Sequence, residues 1–164
     1  MSGRRICWQI TTADTGYPGK PMTGLPLIRA RMAGFPGITH VALTVTSLDR
    51  SVPWYRNLFG GDPVLDQDVG PFRHVAWAME DGTLVSLHGF KDGTDPNDRF
   101  SEFRVGMDHL SFGVPTRGDL EKWASKLDEL GVKHADIVDA DYGSGLSFRD
   151  PDNNALELFA PPGT

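Results

Sequence analysis

Apolar and polar residues alternate in two short stretches of the chain, and each stretch opens a similar series of elements. In residues 38–45 the small or polar residues His40, Ala42 and Thr44 share one face, which predicts a β-strand. A helix is predicted at residues 49–59, where Pro53 indicates a late start or a kink. Strands are then predicted at residues 63–66, 72–79 and 83–89, the last two joined by an Asp-Gly hairpin turn.

The second stretch, residues 106–114, is followed by the same order of elements. Thr116 and Asp119 are spaced as in a capping box, and Gly131 marks the end of the helix. An apolar stripe at helical spacing lies between them: Leu120, Trp123, Leu127 and Leu130. Strands are predicted at residues 134–139, 146–149 and 155–159. The tryptophans of both helices, Trp54 and Trp123, are expected to pack in the core.

The two halves form an internal repeat. Residues 37–45 (GITHVALTV) align with residues 106–114 (GMDHLSFGV) at an offset of 69, which pairs His40 with His109. Anchoring on the later turns, at residues 80–87 and 151–158, gives an offset of 71. The repeat predicts an α+β fold of two tandem βαβββ modules, at about residues 37–90 and 105–161, joined by a polar linker at about residues 91–104.

Composition restricts the class of protein further. The chain has 164 residues, of which 39% are hydrophobic and 23% are charged, as in an ordinary globular domain. No stretch approaches the roughly 18 apolar residues of a membrane-spanning helix. A single cysteine, Cys7, allows no internal disulfide and fits a reducing compartment, so we expect a cytoplasmic protein that does not act at a membrane.

Charge divides the chain into two parts. Residues 1–36 carry five basic residues and one acidic residue and lack a sustained apolar period, so we expect an irregular basic N-terminal arm. The remaining residues carry a net charge of −10, whereas a surface that binds phosphates is basic. Nucleic acid is therefore not expected as a partner.

Three side chains suggest a metal site. His40 and His109 occupy equivalent strand positions on faces of small or polar residues, which favours a pocket over a tight core. Glu157 interrupts an apolar strand, where a carboxylate is costly to bury without a cation or a proton. Two histidines and one carboxylate are a known ligand set that leaves coordination positions open. Alternatively, His40 is a satisfied core residue, His109 bonds to Asp108, and Glu157 pairs with Arg149.

The first-module equivalent of Glu157 differs between the two alignments. Turn anchoring selects Ser86, and the strict offset selects His88. His88 is a possible fourth ligand or general acid and base, and His74 is a weaker candidate for such a role. The substrate-binding residues that we expect are Ser86, Trp77, Ser111, Tyr142 and Phe159.

With these residues in view, the sequence resembles the vicinal oxygen chelate superfamily, which includes glyoxalase I, extradiol dioxygenases, fosfomycin resistance enzymes and bleomycin-binding proteins. The resemblance covers residues 37–161 and is carried by residues 37–45, 49–51, 54–60 and 148–159, of which the last (FRDPDNNALELF) is the most specific. It implies a single domain with an open, cup-shaped mixed sheet and outer helices. It also implies one divalent metal ion per site and a homodimer.

Carried over residue by residue, His40, His109 and Glu157 fall on metal-ligand positions of that family. The resemblance implies an enzyme that acts on a small organic substrate with two adjacent oxygens, by dioxygenase or related lyase or isomerase chemistry. Fe²⁺, Mn²⁺, Zn²⁺ and Ni²⁺ all suit the ligand set. Ser86 stands where glyoxalase I has a glutamate, which weakens the alternative of a lactoylglutathione lyase. A metal-free protein that sequesters an antibiotic, as in bleomycin resistance, is the other alternative.

Overall fold

The computed structural model describes residues 37–164, and the predicted basic arm of residues 1–36 lies outside them. The first module contains β1 (His40–Thr44), α1 (Leu48–Phe59), β2 (Leu65–Asp68), β3 (Phe72–Ala78) and β4 (Leu84–Phe90). The second contains β5 (Leu110–Gly113), α2 (Arg117–Glu129), β6 (Val138–Ala140), β7 (Gly143–Arg149) and β8 (Ala155–Ala160). The predicted α+β fold with two βαβββ modules is confirmed.

Each module folds into its own four-stranded mixed sheet. The strand orders are β1-β4-β3-β2 and β5-β8-β7-β6, so the first and last strands of each module are parallel neighbours at an edge. The remaining pairs in each sheet are antiparallel. Because the two orders are the same, the repeat seen in the sequence is a structural repeat.

Side-chain caps fix the first residue of each helix. The Ser47 side chain caps α1, and Thr116 and Asp119 form the predicted capping box of α2. The late start that Pro53 predicts for α1 is wrong, because α1 begins at Leu48 and includes this proline. β6 also begins later than predicted, at Val138, although His134 forms an isolated bridge with Phe148.

One hydrophobic core joins the two modules through their helix-bearing faces. Phe59 of α1 meets Phe112 of β5 edge to face at 5.8 Å between ring centroids, and Trp54 lies 6.5 Å from Phe148 of β7. The Lys126 Nζ of α2 donates to the carbonyl of Leu58 at 2.8 Å. The other face of each sheet therefore points away from this core and carries the candidate ligands His40, His109 and Glu157. Within the described part of the chain, no helix has the length and apolar character needed to cross a membrane.

Candidate metal centre

The open face of the second sheet carries a histidine and a carboxylate side by side. Strand alternation turns Leu156 and Leu158 into the core and Glu157 to the other face. The Nε2 of His109, just before β5, lies 3.6 Å from Oε2 of Glu157. The His109 side chain is 45% exposed and that of Glu157 is 23% exposed, so both groups are accessible to a ligand.

Asp108 orients the imidazole ring of His109. Its Oδ1 lies 2.7 Å from His109 Nδ1, a distance at which an Nδ1–H donates to the carboxylate. In the neutral tautomer with a proton on Nδ1, the lone pair of Nε2 faces Glu157. Histidines that bind metals usually donate their second ring N–H to a carboxylate or carbonyl in this way. The contact between His109 and Asp108, which the sequence offered as an alternative to metal binding, is therefore equally compatible with a metal ligand.

Two small residues shape the position of the Glu157 carboxylate. Ser111, its register partner on β5, donates from Oγ to Oε2 at 2.7 Å. On the other side, a Cβ atom added at Gly145 of β7 would lie 2.7 Å from Oε1. The carboxylate therefore occupies space that glycine leaves open, and one of its oxygens is held by a hydroxyl.

The register of the two sheets decides which residue is equivalent to Glu157. Ser111 pairs with Glu157 in the second sheet, and Ala42, two residues after His40, pairs with Ser86 in the first. Ser86 is therefore the equivalent of Glu157, and His88 is the equivalent of Phe159. The offset of 71 from the turns is the structural one, and the first module has a buried serine where the second has its carboxylate.

His40 lies on the open face of the first sheet, apart from His109 and Glu157. Its side chain is exposed, and its Nδ1 is 3.1 Å from the Thr39 hydroxyl, so it is not the core histidine of the alternative interpretation. Both sheets use their opposite faces to build the shared core. Accordingly, a single chain does not assemble the three predicted ligands, and no group of three His, Cys, Asp or Glu side chains within residues 37–164 is placed to bind a metal ion.

An aromatic and histidine cluster covers the same face of the first sheet. His88 stacks on Phe72 at 4.6 Å between ring centroids and meets His74 at 5.7 Å, and Phe90 completes the cluster. His74 Nε2 is buried and has no hydrogen-bond partner among the described residues. Burial lowers the pKa of His88 from its ordinary value of 6.5, and the nearby imidazoles of His74 and His40 lower it further. Both effects favour the neutral form of the His88 ring, which can accept a proton.

The predicted substrate-binding residues divide between the core and the open faces. Tyr142 stacks on Phe159 at 6.4 Å between ring centroids, and both lie on the open side of the second sheet. Trp77 does not lie on the open face of its sheet, which corrects the expectation that it contacts a substrate. It is 3% exposed, packs among the core aromatic rings, and donates from Nε1 to the carbonyl of Gly61 at 3.0 Å. Its strand parity, opposite to that of His74, explains this placement.

Other contacts bear on the alternatives raised by the sequence. Arg149, the proposed partner of Glu157, instead donates from Nη2 to Oε1 of Glu102 at 2.6 Å.

From the sequence, Gly145 was not identified as a residue that makes room for the Glu157 carboxylate. The signal for it is the unusual pair of glycines at 143 and 145 inside a strand, because glycine in a strand marks close approach of another group.

Comparison with known proteins agrees with this architecture. The family model described as glyoxalase/bleomycin resistance protein/dioxygenase superfamily matches residues 37–158. The chain therefore belongs to that superfamily.

Individual relatives differ in activity. A biphenyl-2,3-diol 1,2-dioxygenase 3 from Rhodococcus globerulus is 29% identical over 131 residues, which are 77% of this chain and 66% of the dioxygenase. The chain thus spans slightly less than two thirds of that relative. The metallothiol transferase FosB of Staphylococcus haemolyticus is 26% identical over 74% of this chain and 81% of its own length. A glyoxalase/bleomycin resistance protein/dioxygenase domain from Frankia sp. EAN1pec superposes with a TM-score of 0.71 at 30% identity, over 79% of this chain and 96% of that domain.

Proposed function

We propose that the protein is a divalent-metal-dependent enzyme that acts on a small organic molecule with two adjacent oxygens, by dioxygenase or related lyase or isomerase chemistry. The observation that carries the proposal is the pair formed by His109 and Glu157. The pair is accessible, its Nε2 and Oε2 atoms are 3.6 Å apart, and Asp108 orients the imidazole. Relatives named as a dioxygenase and a metallothiol transferase support an enzyme.

We infer further that the third ligand, His40, comes from a second copy of the chain. The two open faces point away from a common core, so His40 of one chain and the pair of the same chain serve different sites. In a symmetric dimer, the first sheet of one copy can face the second sheet of the other. Each of the two resulting contacts then brings together His40 of one copy with His109 and Glu157 of the other. Two-fold symmetry makes the two sites identical.

The donors of the His109–Glu157 pair are compatible with a metal. If the Nδ1–H of a neutral His109 ring is donated to Asp108, Nε2 keeps its lone pair, and the Ser111 hydroxyl occupies only one oxygen of Glu157. Two imidazoles and one carboxylate suit Fe²⁺, Mn²⁺, Zn²⁺ or Ni²⁺. When bound, such an ion would act as a Lewis acid and a template for the two substrate oxygens.

The remaining residues of the open faces bind and orient the substrate or move a proton. Tyr142 and Phe159 offer a stacked aromatic surface beside Glu157 on the second sheet. On the first sheet, the neutral form of His88, which burial favours, acts as a general base. Ser86 is buried beneath this face and leaves the first module without a carboxylate, which disfavours the chemistry of a lactoylglutathione lyase.

Elemental analysis of protein purified without a polyhistidine tag tests the proposal. Wild type is expected to bind one of the four ions stoichiometrically, and His109→Ala and Glu157→Gln are expected to lose it. The matched control is His134→Ala, which removes an imidazole near Asp128 that lies outside the proposed site. A wild-type protein that stays metal-free with all four ions, but binds an aromatic antibiotic, would overturn the proposal in favour of sequestration.

A further inference from the structure

A cleft of about 290 Å³ opens beside β1, next to the segment that joins the two modules. Its apolar wall includes Leu43, Phe100 and Met107, and two arginines, Arg99 and Arg104, line it together with the carboxylates of Asp98 and Asp152. Neither arginine belongs to the proposed metal centre. The combination of an apolar wall and two guanidinium groups is typical of a site for an organic anion.

Within residues 37–164, neither arginine forms a short ion pair with a carboxylate, so its guanidinium N–H groups can bind an anion. Arg99 Nη1 donates to the main-chain carbonyl of Asp98 at 2.6 Å but is 4.0 Å from Oδ1 of Asp152. Arg104 Nη1 is 3.8 Å from Oδ1 of Asp98. Both carboxylate distances exceed the roughly 2.7–2.9 Å of a charge-assisted hydrogen bond. Asp152 is in any case already engaged by Arg50, Thr46 and Ser51.

The segment that carries these arginines is fixed to the β7–β8 turn. The Phe100 amide donates to the carbonyl of Asp152 at 2.9 Å, and Asn153 Nδ2 donates back to the carbonyl of Phe100 at 2.8 Å. Glu102 accepts two hydrogen bonds from the Arg149 guanidinium. Arg99 and Arg104 are therefore presented at the cleft by an anchored backbone.

We propose that Arg99 and Arg104 form a binding subsite for the carboxylate or phosphoryl group of an amphiphilic organic acid, whose apolar part lies against Phe100 and Met107. Ala42 and Thr44 line the cleft and share the strand face of His40. Four residues of extended strand separate His40 from Thr44, which corresponds to about 13 Å. The inference rests on the proposed function in one respect, since that function places the other end of the acid at the metal.

Titration of the metal-free protein with three probes tests the subsite without the metal. The probes are 4-phenylbutyrate, phenyl phosphate and the neutral 4-phenylbutyramide, followed by calorimetry or by amide chemical shifts. The Arg99→Gln/Arg104→Gln variant is expected to bind both acids at least about tenfold more weakly, because charge-assisted hydrogen bonds are lost. The amide is expected to bind weakly and equally to both proteins. A preference for one acid identifies the anionic group.

One control variant and the absence of metal separate this inference from the proposed function. Arg56→Gln removes a similarly exposed arginine that pairs with Asp62, and it is expected to leave acid binding unchanged. Because the titration uses metal-free protein, its outcome does not depend on the proposed metal ligands. Equal affinity for acid and amide, or undiminished acid binding by the double variant, would overturn the subsite. If the double variant does not fold, the single Arg104→Gln variant decides, because that side chain is 71% exposed.

Discussion

At the residue scale, the absence of a side chain at position 145 makes room for the carboxylate of Glu157. We predict that Gly145→Ala lowers metal affinity at least about tenfold, because the new Cβ would lie 2.7 Å from Oε1 and must displace that oxygen. Metal titration followed by equilibrium dialysis measures the effect. Gly113→Ala is the matched control, since a Cβ there meets nothing within 4 Å. Equal losses in the two variants would contradict the account.

The carboxylate behind His109 leads to a second prediction. Asp108→Asn keeps the size of the side chain but removes the negative charge 2.7 Å from Nδ1, so the imidazole loses its preferred orientation and part of its basicity. Loss of such an outer partner typically lowers metal affinity by about 10- to 100-fold. The exposed Asp92→Asn is expected to match wild type in the same dialysis experiment. An Asp108→Asn protein with wild-type affinity would show that this contact has no role.

His88 provides a prediction on pH. Its pKa is lowered in the folded protein, mainly by burial, so the unfolded chain takes up a proton near pH 6.5 when the folded chain does not. The free energy of unfolding of the metal-free protein should therefore fall as the pH decreases below about 6.5. His88→Phe, which introduces the residue found at the equivalent position 159, should reduce this fall. Urea denaturation at pH 7.5 and pH 5.5 measures both, and an unchanged difference in the variant would refute the prediction.

At the scale of elements, the β7–β8 turn holds α1 in place. The buried Asp152 accepts hydrogen bonds from Thr46, Arg50 and Ser51 at the start of α1, and Asp150 accepts one from Tyr55. Burial raises the pKa of Asp150, and burial together with Asp150 raises that of Tyr55. These contacts explain why residues 148–159 are so specific in the sequence. These residues form the β7–β8 turn, and their hydrogen bonds also connect the second module to α1 of the first.

We predict that Asp152→Ala lowers the free energy of unfolding by about 2–4 kcal/mol, because several hydrogen bonds to one buried carboxylate are lost. Chemical denaturation monitored by circular dichroism gives the value. Asp62→Ala breaks an exposed ion pair with Arg56 and should change stability by less than about 1 kcal/mol. Similar values for the two variants would show that the hydrogen bonds to the buried Asp152 do not stabilise the modules.

The elements could be predicted from the sequence because their signals are local. Alternation around His40 and His109, the capping box of α2 and the repeat itself define the strands, the helices and the βαβββ order. Strand alternation places Trp77 on the face opposite to His74, which is the core face, yet Trp77 was expected to contact a substrate. The register that makes Ser86 the equivalent of Glu157 depended on backbone pairing, which the two possible offsets left open.

At the scale of the whole molecule, the sequence suggested candidate ligand residues but not how they are distributed over the two sheets. How two modules pack depends on contacts far apart in the chain, such as Phe59 with Phe112 and Trp54 with Phe148, and no periodicity encodes them. Those contacts place the helix-bearing faces together and the open faces outward. We therefore propose that the homodimer implied by the family resemblance completes the metal centre.

The most direct test of this claim is the metal content of defined heterodimers. His40→Ala and Glu157→Gln chains are co-expressed with two different tags that do not bind metal, and the mixed dimer is isolated by tandem purification. The shared centre predicts one metal ion per mixed dimer, because one of the two sites keeps all three ligands. A reciprocal dimer of wild type with the His40→Ala/Glu157→Gln double variant is predicted to bind none. The opposite pattern, none in the first dimer and one in the second, would place all three ligands in a single chain and contradict the account.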